Sequence, residues 1–100
     1  MFMGFVNLES TLYFPVLTDV ASVPTNADSL PTWILYSTTI STALTNGTVA
    51  ALSGVTGAYV CSIACTAANG LAVGGLYTVL VSYTVSSGSQ RRQSFTFAVT

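Results

Sequence analysis

Apolar positions in this chain recur at every second residue, the period of a β-strand that lays one face on a core. Leu12, Phe14 and Val16 alternate with Tyr13, Pro15 and Leu17. Pro15 has no backbone donor, so its strand belongs at a sheet edge or carries a bulge. Pro31 opens a second run, Thr32-Trp33-Ile34-Leu35-Tyr36-Ser37. Ala58 to Thr66 alternates cleanly, with Tyr59, Cys61, Ile63 and Cys65 on one face and Val60, Ser62 and Ala64 on the other. The clearest strand is Leu76 to Val85, where Tyr77, Val79, Val81, Tyr83 and Val85 share a face. The final run points Phe95, Phe97 and Val99 inward and Ser94, Thr96 and Ala98 outward.

Turn chemistry divides these runs. Thr18 to Leu30, with Asp19, Pro24, Asn26 and Asp28, is the longest predicted loop. Asn46-Gly47 predicts a hairpin turn between strands near 39–45 and 48–52, because both residues tolerate positive φ. Gly54 and Gly57 mark the next turn, Ala67 to Gly70 a turn or short helical bend, and Ser86 to Ser89 a hairpin loop. About seven strands with turn signals every roughly 8–12 residues predict an all-β fold. The expectation is a single immunoglobulin-like β-sandwich of about seven antiparallel strands; a jelly roll shares the pattern and differs in topology. No helical period stands out beyond the Ala-rich stretch 64–73, and there is no linker or long repeat. One hundred residues make one domain. Its division is an apolar N-terminal arm over 1–8 and a sandwich over 9–100.

Composition narrows the function. Charged residues are 5% of the chain, against roughly 25% in an ordinary soluble domain. They are Glu9, Asp19, Asp28, Arg91 and Arg92, and His and Lys are absent. A net charge of −1 leaves no electrostatic footprint for nucleic acid. Arg91-Arg92 reads as a solvated turn beside the last strand. Twelve Val, fifteen Thr and 11% aromatics exclude intrinsic disorder. A free domain stays dispersed largely through charge, so this surface is expected to be partly covered by a partner. No apolar run reaches the ~18 residues of a membrane helix. The start, Met1, Phe2, Met3, Gly4, Phe5 and Val6, is apolar but lacks the basic region of a secretory signal. It reads as an arm that docks on a neighbour or on its own domain.

The residues that could carry chemistry are few. Cys61 and Cys65 lie four apart on one predicted strand, roughly 13 Å, beyond the ~7 Å between Cα atoms that a disulfide spans. They read as buried free thiols, and a metal site would need ligands the chain lacks. The three carboxylates fall in predicted loops or strand edges, where Asp caps its own backbone. Asp19 and Asp28 could give a Ca²⁺ ion two ligands of the six or more it takes. The 27 Ser and Thr hydroxyls have no His or Lys to activate them, so no enzyme activity and no cofactor is expected. Gly70-Leu-Ala-Val-Gly-Gly75 lacks the Lys-Ser/Thr of a phosphate-binding loop. Asn46-Gly47-Thr48 is formally a glycosylation acceptor, explained by the turn. Trp33, Tyr36, Tyr59, Tyr77 and Tyr83 either fill the core or line a sugar-binding surface.

Three segments together carry a resemblance. They are Thr11 to Tyr36 (TLYFPVLTDVASVPTNADSLPTWILY), Gly57 to Val85 (GAYVCSIACTAANGLAVGGLYTVLVSYTV) and Arg91 to Val99 (RRQSFTFAV). The frame of Gly-x-Tyr, then Tyr-x-Val-x-Val, then Phe-x-Val resembles the small immunoglobulin-like and related β-sandwich structural proteins of tailed bacteriophages. It covers about residues 11–99 and is a pattern of core and turn positions, so it assigns no functional residue. The resemblance implies a virion protein assembled in the host bacterial cytoplasm. The leading expectation is a capsid decoration, or cement, protein bound outside the head to the major capsid protein, as a homo-oligomer or lattice-bound. A tail, neck or baseplate adaptor of the same virion is the alternative, and a carbohydrate-binding adhesion module a further one. The partner-binding residues expected are Met1, Phe2, Met3, Phe5 and Val6 of the arm, and Pro15 on the edge strand.

Overall fold

The computed structural model describes residues 1–37 and 43–100. Its strands are β1 (Phe2–Val6), β2 (Ser10–Leu17), β3 (Asp19–Val20), β4 (Val23–Pro24), β5 (Thr32–Ser37), β6 (Ala43–Thr48), β7 (Ala50–Ala51), β8 (Ala58–Cys65), β9 (Leu76–Val85) and β10 (Ser89–Val99). A single 3-10 turn, Ala67–Asn69, follows β8. Five strands form one sheet in the order β1-β10-β9-β5-β6, and three form the other in the order β2-β8-β7. The chain crosses between the sheets four times, and the alternate side chains of both meet in one core. This is an immunoglobulin-like β-sandwich.

The strand periodicity positions that core as the sequence predicts. Phe14 and Val16, Cys61 and Ile63, Val79 and Val81, and Phe95 and Phe97 are all buried. Phe97 is fully enclosed, and burial of such a ring is worth roughly 2–3 kcal/mol. Phe14 and Phe95 pack across the sandwich with ring centroids 4.8 Å apart. Tyr77 turns its hydroxyl back to accept a hydrogen bond from the Ala72 N–H at 2.8 Å, pinning the segment that leads into β9. Gly75 makes room for it, since a Cβ there would collide with the Tyr77 hydroxyl. Trp33, on β5, is buried against Gly47.

That last contact corrects the predicted hairpin. Asn46 and Gly47 lie inside β6, where Gly47 pairs with Trp33 and Asn46 with Ile34. A Cβ on Gly47 would come within 2.8 Å of the Trp33 ring. The glycine is there to admit an indole, not to turn the chain. Residues 39–42 of the expected strand near 39–45 lie outside the described residues. The strand expected near 48–52 shrinks to the two residues of β7.

Three other expectations change. Residues 2–6 form a strand of the sandwich rather than an arm apart from it, and β1 runs parallel to its neighbour β10, so the sheet is mixed. Of the two dockings open to the apolar start, the structure contains the one on its own domain. Arg91 and Arg92 sit within β10, opposite Tyr83 and Ser82, rather than in a turn. The long loop 18–30 contains the ribbon β3–β4, whose turn residues Ala21 and Ser22 have φ of 50° and 66°. The edge position expected for the strand of Pro15 is observed, since β2 ends the three-stranded sheet.

Candidate functional site

Each carboxylate is committed to the backbone. The Glu9 Oε1 accepts from the Ala67 N–H at 3.0 Å, tying the β1–β2 turn to the 3-10 turn. Asp19 accepts from the Ser22 N–H at 3.0 Å and so closes the β3–β4 turn. Asp28 accepts from Ser87 and Gly88, at 3.3 and 3.1 Å, and holds the β9–β10 turn against the 18–31 segment. Only Asp19 shows the local turn capping expected from the sequence; Asp28 and Glu9 instead hold backbone about sixty residues away in the chain. Glu9 stands at the far end of the sandwich from Asp28, so the three do not face one cleft. Among the described residues no three His, Cys, Asp or Glu side chains gather as metal ligands would.

The thiols are structural. Cys61 and Cys65 are free and fully buried on the inner face of β8. Burial pushes the Cys61 thiol up to about 12. Cys65 is also raised by burial, partly offset by a backbone hydrogen bond from Leu12. Such groups stay protonated and behave as small apolar side chains.

The residues expected to contact a partner divide in two. Met3 and Val6 turn inward and pack against the core. Phe2 and Phe5 point away from it, 54% and 73% exposed, with ring centroids 5.7 Å apart in an edge-to-face pair. Met1 is exposed, while its carbonyl accepts from the Thr96 N–H at 2.7 Å. Pro15 is exposed on the opposite sheet, beside Val60, and joins neither ring. The other aromatics do not make a sugar platform. Trp33, Tyr59, Tyr77 and Tyr83 are buried, and Tyr36 is half-buried.

A second apolar region lies at the end of the sandwich that carries the 18–31, 52–57 and 86–88 connections. Leu17, Val23, Leu30, Leu52 and Val55 are all exposed there. All but Val23 line one of two shallow depressions of about 480 and 470 Å³ that share Val55, Thr56 and Ala58. The loops beneath are firmly held. The buried Thr18 hydroxyl donates to the Thr25 carbonyl, Asn26 Oδ1 accepts from the Gly57 N–H at 2.7 Å, and the Ala27 N–H donates to the Tyr59 hydroxyl at 2.9 Å. Sequence reading missed this surface. The available signal was single Val and Leu residues inside turn-rich stretches, where no strand period requires them.

No helix among the described residues is long and apolar enough to cross a membrane. No family model and no curated protein matches the chain. Among solved structures it is similar to one of murine CRIg, at 12% identity and a TM-score of 0.48, over 96% of this chain and 90% of that one.

Proposed function

We propose that the chain is a non-catalytic structural protein of a virion, acting as a decoration protein on the outside of a capsid. The observation that carries this reading is the character of the surface. Eleven large apolar side chains are exposed among the described residues, against five charged residues in the whole chain. A surface of that kind suits permanent contact with a neutral protein lattice and suits neither nucleic acid nor independent life in solution. The carboxylates already serve the backbone and the thiols are buried, which among the described residues leaves no pair of these groups placed for acid–base or nucleophilic work. Binding would add buried apolar area across joints between capsid subunits, with the rigid loop end around Leu30, Leu52 and Val55 as the contact.

The test is the copy number of the chain in purified virus particles from its source, by quantitative peptide counting against the major capsid protein. Hundreds of copies are expected. A count near about six or twelve, as ring-shaped tail assemblies give, replaces decoration with a tail, neck or baseplate role. Absence from the particles overturns the virion reading.

A further inference from the structure

The chain contains two Asn-Gly pairs, Asn46-Gly47 and Asn69-Gly70. An Asn side chain can react with its own backbone, because the nitrogen of the next residue lies close enough to attack the amide carbon. That nitrogen gives its proton to hydroxide, ammonia leaves, and a five-membered succinimide forms. Water then opens the ring to Asp or to isoaspartate. Glycine hinders the attack least, since it has no side chain. Asn7 and Asn26 precede Leu8 and Ala27, whose side chains stand in the way. Exposure alone ranks Asn46 first, because it is exposed and Asn69 is half-buried.

The backbone reverses that ranking. Closing the ring requires the Asn-Gly peptide plane to rotate out of its regular conformation. Gly47 cannot rotate alone. It is held in the β5–β6 ladder opposite the buried Trp33, and even a Cβ on it would come within 2.8 Å of the indole. Freeing it means parting two strands and disturbing a core side chain. Asn69 closes the 3-10 turn Ala67–Asn69, which buries no side chain. Its restraints are local and polar. The Asn69 N–H donates to Thr66, at 3.1 Å to the carbonyl and 3.3 Å to the hydroxyl. Its Nδ2 donates to the Ala64 carbonyl at 2.8 Å, and the Gly70 N–H donates to the Ala67 carbonyl at 3.0 Å. Opening one such turn costs far less than opening a core strand.

We propose that Asn69 is a site of spontaneous deamidation in the folded protein, converted through attack by the Gly70 nitrogen, while Asn46 is protected by the packing of Gly47 on Trp33. Conversion replaces a neutral amide by a carboxylate and so lowers the net charge of −1 by one unit. It also removes the donor to Ala64, in the turn whose Ala67 N–H holds Glu9. The protein thus carries a chemical clock at the end of the sandwich away from the Asp28 latch.

The test is to hold the full chain in mildly alkaline buffer, folded or in urea, and to follow the peptides containing Asn46 and Asn69 by mass spectrometry. In the folded chain Asn69 should convert at least about tenfold faster than Asn46. In urea the two rates should converge, chiefly through a rise at Asn46. Thr66→Ala, which removes a hydroxyl acceptor from the turn, should speed Asn69 by about threefold and leave Asn46 unchanged. Asn46 converting as fast as Asn69 in the folded chain overturns the proposal, whatever the variant does. So does a folded chain in which neither converts while both convert in urea, or an Asn69 rate that Thr66→Ala leaves unchanged.

Discussion

Cys61 and Cys65 show how single residues take their chemistry from their place in the sandwich. Both thiols are held protonated by burial. In the unfolded chain they ionise from the ordinary value of 9.0, whereas folded Cys61 waits until about 12. Between those limits the folded state binds more protons than the unfolded state, so stability falls as pH rises; below the lower limit both states are protonated and nothing changes. Urea denaturation should therefore give a flat stability from pH 6 to about 8 and a loss that approaches about 1.4 kcal/mol per pH unit from Cys61 alone above about 9. Iodoacetamide should leave both thiols unmodified in the folded chain and label both in urea. A midpoint rising with pH above that limit would show that burial is not what holds Cys61. The sequence made these thiols legible because their spacing and the strand period fix their face. Gly47 was not legible in the same way. Asn-Gly is a turn signal in local terms, and only the distant Trp33 turns it into a packing requirement.

At the scale of elements, Asp28 does the work that glycine does in other hairpins. Ser86 and Ser87 connect β9 to β10 with φ of 50° and 60°, a conformation that costs a side-chain-bearing residue about 1 kcal/mol. The Asp28 carboxylate offsets it by accepting from Ser87 and Gly88. Asp28→Ala should lower stability by about 1 kcal/mol and speed amide exchange at Ser87 and Gly88, with little change in the β9 core strand. Uniformly faster exchange across β9 would mean that the latch acts on the whole sheet. The long strands were readable because one face of each is buried, which imposes the two-residue period. The ribbon β3–β4 was not, because its turn is built from Ala21 and Ser22 with Asp19 as support. Nor was the pairing of β1, since a parallel partner 94 positions away leaves no local trace.

For the whole molecule, stability rests on packing rather than charge. Five ionisable carboxylates and guanidinium groups and a net charge of −1 leave little for salt to screen. Raising NaCl from tens of millimolar to about 0.5 M should move the thermal midpoint by less than about 2 °C, while sulfate, which strengthens apolar burial, should raise it. A large shift with NaCl would point to an electrostatic term that the structure does not contain. The fold class was legible at this scale because about seven strands in one hundred residues leave few architectures. The candidate surfaces were not. Which apolar residues stay outside depends on which sheet face each strand presents, and that is decided only when the two sheets meet.

The pairing of β1 with β10 sets an order of events during synthesis. Phe2 leaves the ribosome 94 residues before Thr96, its partner. Throughout that interval β1 has no edge to join, because among the described residues β10 is the only strand it pairs with. Its aromatic and sulfur-bearing side chains therefore wait in the open until nearly the whole domain has emerged, and contacts closed over such long loops form late. A nascent chain halted before β10 would display a sticky N-terminus however well its middle had folded.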